Sequence, residues 1–587
     1  GTYSYAYDDT SGGGKLKSVI TPDGVETMYT FDGPMMTSAQ TTGTDVAATI
    51  EFAYDTDFRL TNEHVECPTG TTIACAPVQY TYDGDSLLTM AATQAGQLIL
   101  SRDPQNGLLT GTSVQAISDQ WTYNAFAEPA SYAATLDGDN TPFYTEQMTR
   151  DDAGRITEKV ETIAGASTTS DYTYDNAGRL TTVSTNGVNS GTYTYDANSN
   201  RVSKTMPSGS ESGTYDAQDR ITTYAGATYT QTPTGDLQSR TDSSGTATYT
   251  YDELGNLLTV MLSDGRRIDY VVDGQNRRIA KMVNGAVVQR LVYADALRPA
   301  AELDGSGEVV TRFVYGTRAN CPDLISKGDD TYRVIADHLG SPRLIVNIYD
   351  GTIVQRMDYD EFGNVIADSN PGFQPFGFAG GLYDSDTGLL RFGTRDYDPH
   401  SGRWTAKDPI GFDGGDTNLF GYAFRDPINF IDPNGFSGVL TIHSNGVNDS
   451  SDVPYAGHSW ITYSSDGGLT HSYGTYGNNP GGNDNGLVTD WELNHPAQYG
   501  LGSASRTIWI NDSQERHLMH VIDQYRQRGT RGWSYSDPCS SFAHDAWLAA
   551  TGENLDDYHH GWTATTEQSL PQSLRESIIR ENGGIAH

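Results

Sequence analysis

Residues Tyr172 to Leu180 read YTYDNAGRL, and the pattern returns as YTYDANSNR from Tyr193 to Arg201 and as YTYDELGNL from Tyr249 to Leu257. Tyr-x-Tyr is a period-2 strand with both rings on one face. Asp-x-x-Gly is a turn in which the carboxylate caps and the glycine takes a positive φ. The next residues, Arg179 to Val183 (RLTTV), start a return strand, so one repeat predicts one hairpin. Weaker copies surround Asp8, Asp32, Asp55, Asp83, Asp103, Asp152, Asp216 and Asp273, and Thr232 in QTPTGDL reads as a degenerate copy that closes the gap before Asp252. The aspartates recur about every 20–28 residues, the period of a stacked or wound array. A hairpin alone is marginal, so the array is expected to form one continuous, spiralling sheet. Such regular recurrence assigns the Tyr and Asp residues to scaffolding.

Composition agrees with that reading. The chain has 587 residues, 64 Gly and 36 Tyr, with 36% hydrophobic and 19% charged residues. Its Gly, Thr and Tyr favour strands and turns, which excludes an all-α protein. A formal charge of −38 opposes a phosphate-binding surface, so no nucleic-acid partner is expected. No apolar run reaches the length of a transmembrane helix, and Gly1 to Asp8 predict no signal peptide. Four cysteines are too few for a disulfide framework; Cys67 and Cys75 could close a small loop.

The array resembles the tyrosine-aspartate repeats of Rhs proteins and of the C components of bacterial Tc toxins, over roughly residues 1–436. Further segments carry the resemblance: Ile335 to Arg343 (IADHLGSPR), Gly381 to Asp384 (GLYD), Thr394 to Pro399 (TRDYDP), Gly402 to Trp404 (GRW), Asp408 to Gly411 (DPIG) and Asp432 to Gly435 (DPNG). The resemblance implies a mainly β chain in three parts. These are a repeat β-shell over 1–330, an Rhs-associated core over 331–436 and a C-terminal toxin domain over 437–587. It also implies a shell that encapsulates the toxin, and an aspartyl autoprotease that cuts between Phe436 and Ser437. Two carboxylates sharing a site split their proton affinities and supply a general base and a general acid. Asp408 and Asp432 are the candidates, with Lys407 as a tuning cation; Asp426 (RDPINF) is a further Asp-Pro turn read as structural.

Composition changes after Phe436. The last 151 residues contain no Lys, 7 Arg, 17 acidic residues, 10 of the 13 His and 6 of the 8 Trp. This predicts a separate α+β domain with a net charge of −10, which argues against a nuclease. Strands are expected over Ser459–Tyr463, Leu469–Tyr473 and Arg506–Ile510, and helices from Asp512 or Ser513 to about Arg528 and over Cys539–Ala550. Cys539 then stands at a helix N-terminus, which lowers a thiol's pKa. A thiolate nucleophile needs an imidazole within reach and a polar group to orient it.

Gly457 to Trp460 (GHSW) and Pro538 to Ala543 (PCSSFA) resemble the permuted NlpC/P60 and lecithin:retinol acyltransferase-like branch of papain-like enzymes. That resemblance implies a Cys539 nucleophile and a His458 base. His471, Asp490 and Asn494 compete for the orienting place. The competing chemistry is metal-dependent, through His517, His520, His544, Asp545, His559 and His560, although no HExxH or CxxC completes the set. Ser540 or Ser541 is a remote alternative nucleophile, and Gly474 to Gly486 reads as a loop. The expected product is a secreted toxin delivered into a target cell. It acts on amide bonds of peptidoglycan or protein, uses no cofactor, and is partnered by an immunity protein and by type VI or Tc-type delivery machinery. Acyl hydrolysis or transfer, deamidation, and a non-enzymatic surface or adhesion module are the alternatives.

Overall fold

The computed structural model describes the chain except residues 1, 9–14, 34, 44–46, 68–72, 127, 140, 410, 412–415, 436–438, 445–457, 465–469, 477–485, 490–503, 510–517, 519–520, 523, 527, 529–538, 552–557, 561–566 and 570–587. It divides into two compact units. One comprises Gly1–Thr149, Ile156–Lys407 and Asn418–Gly435; the other comprises Phe436–His587 with Arg150–Arg155 and Asp408–Thr417.

The first unit is built on a 34-stranded antiparallel sheet. Its hairpins form as the repeat predicts. Asp175 Oδ1 accepts the N–H groups of Ala177 and Arg179 at 2.9 and 3.0 Å, and its Oδ2 accepts Arg179 Nε at 2.8 Å. Gly178 takes φ +80°, and Ser199 and Asp219 occupy the equivalent left-handed position of their own turns. The turn chemistry also joins repeats, because Arg179 Nη1 donates to the carbonyl of Asp196, in the next turn. The two tyrosines divide the work. The first is buried, as at Tyr172 and Tyr193. The second donates its hydroxyl to the backbone of the preceding hairpin, as Tyr174 does to Ile156 O at 2.6 Å, Tyr195 to Leu180 O at 2.8 Å and Tyr215 to Arg201 O at 2.8 Å. The degenerate copy keeps the turn cap and the bond to the preceding hairpin with other atoms. Thr232 Oγ1 accepts the Asp236 N–H at 3.0 Å, and Gln231 Nε2 donates to Ile221 O.

Late strands pack across early ones. Ion pairs join them, among them the buried Arg312 to Glu63 at 2.6 Å and Arg333 to Asp119 at 2.7 Å, and the part-buried Arg343 to Glu161 at 2.7 Å. The strands Asp330–Ala336 and Pro342–Asn347 are accordingly buried on both faces, and share one core with Val78, Leu98, Val114 and Tyr144. The Cys67–Cys75 disulfide forms, and Ala74 within it enters the core of Ala300 and Val309.

The segment 331–436 begins as a continuation of the repeat sheet, through strands ending at Val365–Asp368. A separate four-stranded sheet follows, of Leu382–Asp384, Leu389–Phe392, Arg395–Asp398 and Arg403–Trp404. Its core is aromatic, with Phe392, Tyr397, Trp404 and Tyr422 in mutual contact.

The second unit contains a five-stranded antiparallel sheet ordered Gly486–Thr489, Thr470–Tyr476, Ser459–Ser464, Val439–Ser444 and Ala504–Trp509. The three expected strands are present, and Val439–Ser444 and Gly486–Thr489 join them. Helical residues between 518 and 528 and the helix Cys539–Thr551 cover one face. Leu518, Ile522, Tyr525, Phe542, Ala546 and Trp547 meet Ile442, Ile461, Tyr463 and Tyr473 there.

Candidate functional site

The segment Asp432–Gly435 is seated on the small four-stranded sheet. Asp432 is buried, and its Oδ2 accepts Arg395 Nη2 at 3.0 Å. The same guanidinium lies over the Trp404 ring at 4.2 Å and donates through Nε to the carbonyl of Gly435. Thr394 N–H donates to Asn434 O at 3.0 Å. This close approach requires glycine at 393, where φ is +47° and a Cβ would stand 2.0 Å from Asn434 O. Tyr422 is nearby. Burial first, and then the charge of Asp432, push its hydroxyl well above the usual tyrosine range. Arg395 therefore fixes both the carboxylate and a carbonyl one residue before Phe436.

Asp408 lies in a turn closed by Gly411 N–H to its carbonyl at 3.0 Å. Asp408 belongs to the second unit, whereas Lys407 and Asp432 belong to the first. Lys407 runs across the degenerate repeat, where a Cβ on Gly235 would meet its Cε at 2.6 Å. Asp426 caps a turn, its carboxylate accepting Asn429 Nδ2 at 2.8 and 2.9 Å. Phe436 and Ser437 lie outside the described residues.

In the second unit Cys539 is the first residue of its helix. His458 is buried, and its ring stacks on Trp460 with centroids 5.6 Å apart and planes 11° from parallel. Trp460 alternates with Ile461, so His458 shares the face opposite the helices. His443 stacks on the same Trp460 indole with centroids 4.9 Å apart, and its Nε2 meets Thr462 Oγ1 at 2.9 Å. The backbone register pairs residue 471 with Tyr463, and the side chain at 471 lies outside the described residues. Asp490, Asn494, His517 and His520 lie outside the described residues.

His544 is buried beside Asp545, whose carboxylate also accepts the Tyr525 hydroxyl at 2.8 Å. Burial alone would raise the Asp545 pKa; hydrogen bonds from His544 and Tyr525 outweigh it and lower it. Among the described residues no group of three or more His, Cys, Asp or Glu could hold a metal ion.

Sequence reasoning missed Arg395, Asn429 and His443. Arg395 stood inside the quoted Thr394 to Pro399 segment, but its partner lies 37 residues away. His443 had only alternation with Ile442 to mark it.

Residues 1–428 match the family model described as Teneurin YD-shell. Teneurin-3 of Danio rerio is 34% identical over 179 residues, covering 29% of this chain and 7% of that protein. YlbH of Escherichia coli (strain K12) is 42% identical over 90 residues, 15% of this chain and 37% of that protein. The crystal structure of TcdB2-TccC3 aligns with a TM-score of 0.50 at 15% identity, covering 74% of this chain and 27% of that one, a likeness of fold. The chain thus spans under a tenth of the length of the teneurin it matches.

Proposed function

The chain belongs to the teneurin YD-shell family, and on that footing we propose that its repeat shell carries a C-terminal effector and frees it by cutting its own backbone between Phe436 and Ser437. The observation that carries this reading is the seating of Asp432–Gly435. A buried carboxylate and the carbonyl of Gly435 are both held by Arg395, and the first unit ends at Gly435. A guanidinium favours the ionised carboxylate. Asp432 is then the general base that takes a proton from water attacking the Phe436 carbonyl. Asp408 is the general acid that gives a proton to the Ser437 nitrogen as the amide bond breaks.

The freed effector is a cysteine hydrolase of amide bonds, in peptidoglycan or protein. The Cys539 thiolate attacks the carbonyl carbon, an imidazole takes and returns the proton, and water releases the thioacyl product. Helix N–H groups at Cys539 are suited to the developing oxyanion. His471, on the strand beside that of His458, is assigned the imidazole role, because His458 packs against Trp460 on the face away from the helices. Delivery by Tc-type or type VI machinery and protection by an immunity protein complete the reading. Expression of residues 437–587 in bacterial cytoplasm and periplasm tests it, beside Cys539→Ala, His471→Ala and His458→Ala. Toxicity lost with Cys539→Ala and His471→Ala supports it; equal toxicity of wild type and all variants refutes the hydrolase.

A further inference from the structure

The residues leading into Asp432 are strapped to the repeat wall. Asn418 Nδ2 donates to Asn198 O and Asn200 Oδ1 at 3.1 and 2.7 Å, and Arg425 Nε donates to Ser199 O at 2.8 Å. The Ile428 carbonyl accepts His338 Nε2 at 2.8 Å, while its side chain packs with Ile156, Tyr172 and Leu180. Asn429 makes the most specific contact. Its Oδ1 accepts the Ile156 N–H at 2.8 Å, and its Nδ2 donates to the Tyr174 hydroxyl at 2.9 Å and to the Asp426 carboxylate.

Ile156 and Tyr174 are not arbitrary partners. The Tyr174 hydroxyl donates to Ile156 O at 2.6 Å, the bond by which one hairpin registers on the one before it. The donor and acceptor that Asn429 needs stand together only when those two hairpins have formed and aligned. Three residues further on, Asp432 meets Arg395 of a different substructure, the small sheet. Asn429 to Asp432 is therefore pinned at one end by the repeat wall and at the other by the core.

We propose that Asn429 is a positioning residue that makes self-cleavage conditional on a registered repeat wall. The proposal rests on the self-cleavage reading and adds a control to it: a shell whose hairpins are unformed leaves Asp432 slack and the chain uncut. Misplacement of a reacting group by about 1 Å can cost about a hundredfold in rate. The full chain, made by cell-free translation and followed on denaturing gels, gives the cutting rate.

Wild type should cut and Asp432→Asn should not. Asn429→Ala should cut at least about tenfold more slowly, with the melting temperature of the shell unchanged in the Asp432→Asn background. Asn429→Asp keeps the acceptor for Ile156 but sets a second carboxylate against Asp426. Relative to wild type it should be slow at neutral pH and recover near about pH 5, where two carboxyls share one proton. If Asn429→Ala lowers the melting temperature, Tyr174→Phe carries the test, and slower cutting supports the proposal. Wild-type rates in Asn429→Ala and Tyr174→Phe, with Asp432→Asn uncut, overturn this proposal alone. An uncut wild type overturns the self-cleavage reading and this proposal together.

Discussion

Replacing Arg333 by Met removes the cation that ties the strand Asp330–Ala336 to the strand Ile117–Tyr123. Arg333 bonds Asp119 Oδ2 at 2.7 Å and Asp323 Oδ1 at 2.9 Å, and all three side chains are at most 3% exposed. Breaking a buried pair from one side costs about 3–5 kcal/mol, because a buried charge is left behind. Each carboxylate keeps other donors here. Asp119 retains the Thr112 N–H and hydroxyl and the Tyr132 hydroxyl, and Asp323 retains the Gly316 and Thr317 N–H groups. The lower half of the range, about 3–4 kcal/mol, follows. Melting entropy is about 2.1 cal/mol/K per residue, so a unit of roughly 420 residues carries about 0.9 kcal/mol/K. Calorimetry should show a fall of about 3–5 °C in melting temperature, with Asp119→Asn recovering part of it in the double variant. A fall below about 1 °C, or strict additivity of the two changes, would refute the view that these pairs join late strands to early ones.

Three further outcomes follow from single sites. Gly393→Ala forces a Cβ onto Asn434 O, so self-cleavage should be lost on denaturing gels while the shell melts as in wild type. Tyr195→Phe removes the hydroxyl bond to Leu180 O and should cost about 1 kcal/mol in urea unfolding; no change would deny the inter-repeat bond its energetic role. Burial raises the Glu361 carboxyl above its ordinary 4.5, so the folded state holds that proton more tightly than the unfolded chain does. Wild-type stability should therefore fall as pH rises through the raised value. Glu361→Gln should be the more stable protein near neutral pH, with the difference closing below 4.5, as read from urea midpoints across that range.

The hairpins were legible because their causes are local. A period-2 strand, an Asp cap and a left-handed turn residue lie within ten residues, and even Thr232 could be placed by its spacing. The packing of late strands on early ones was not legible. Arg312 and Glu63 are 249 residues apart, and nothing in either neighbourhood selects the other. The disulfide likewise had two cysteines at suitable spacing and no local reason to close. At the candidate site the aspartates were marked by their Pro-x-Gly context, whereas Arg395 and Asn429 act through partners distant in sequence. Alternation did hold one unread signal. His458, Trp460 and Thr462 alternate with Ser459, Ile461 and Tyr463, so His458 had to share a face with Trp460 once Ile461 entered the core.

Denaturing mass analysis of the purified full-length chain reads out whether the proposed cut occurs after the Asp432–Gly435 segment. Two polypeptides are expected, one ending at Phe436 and one beginning at Ser437. A single species of 63.7 kDa, with Asp408 and Asp432 intact, would contradict it.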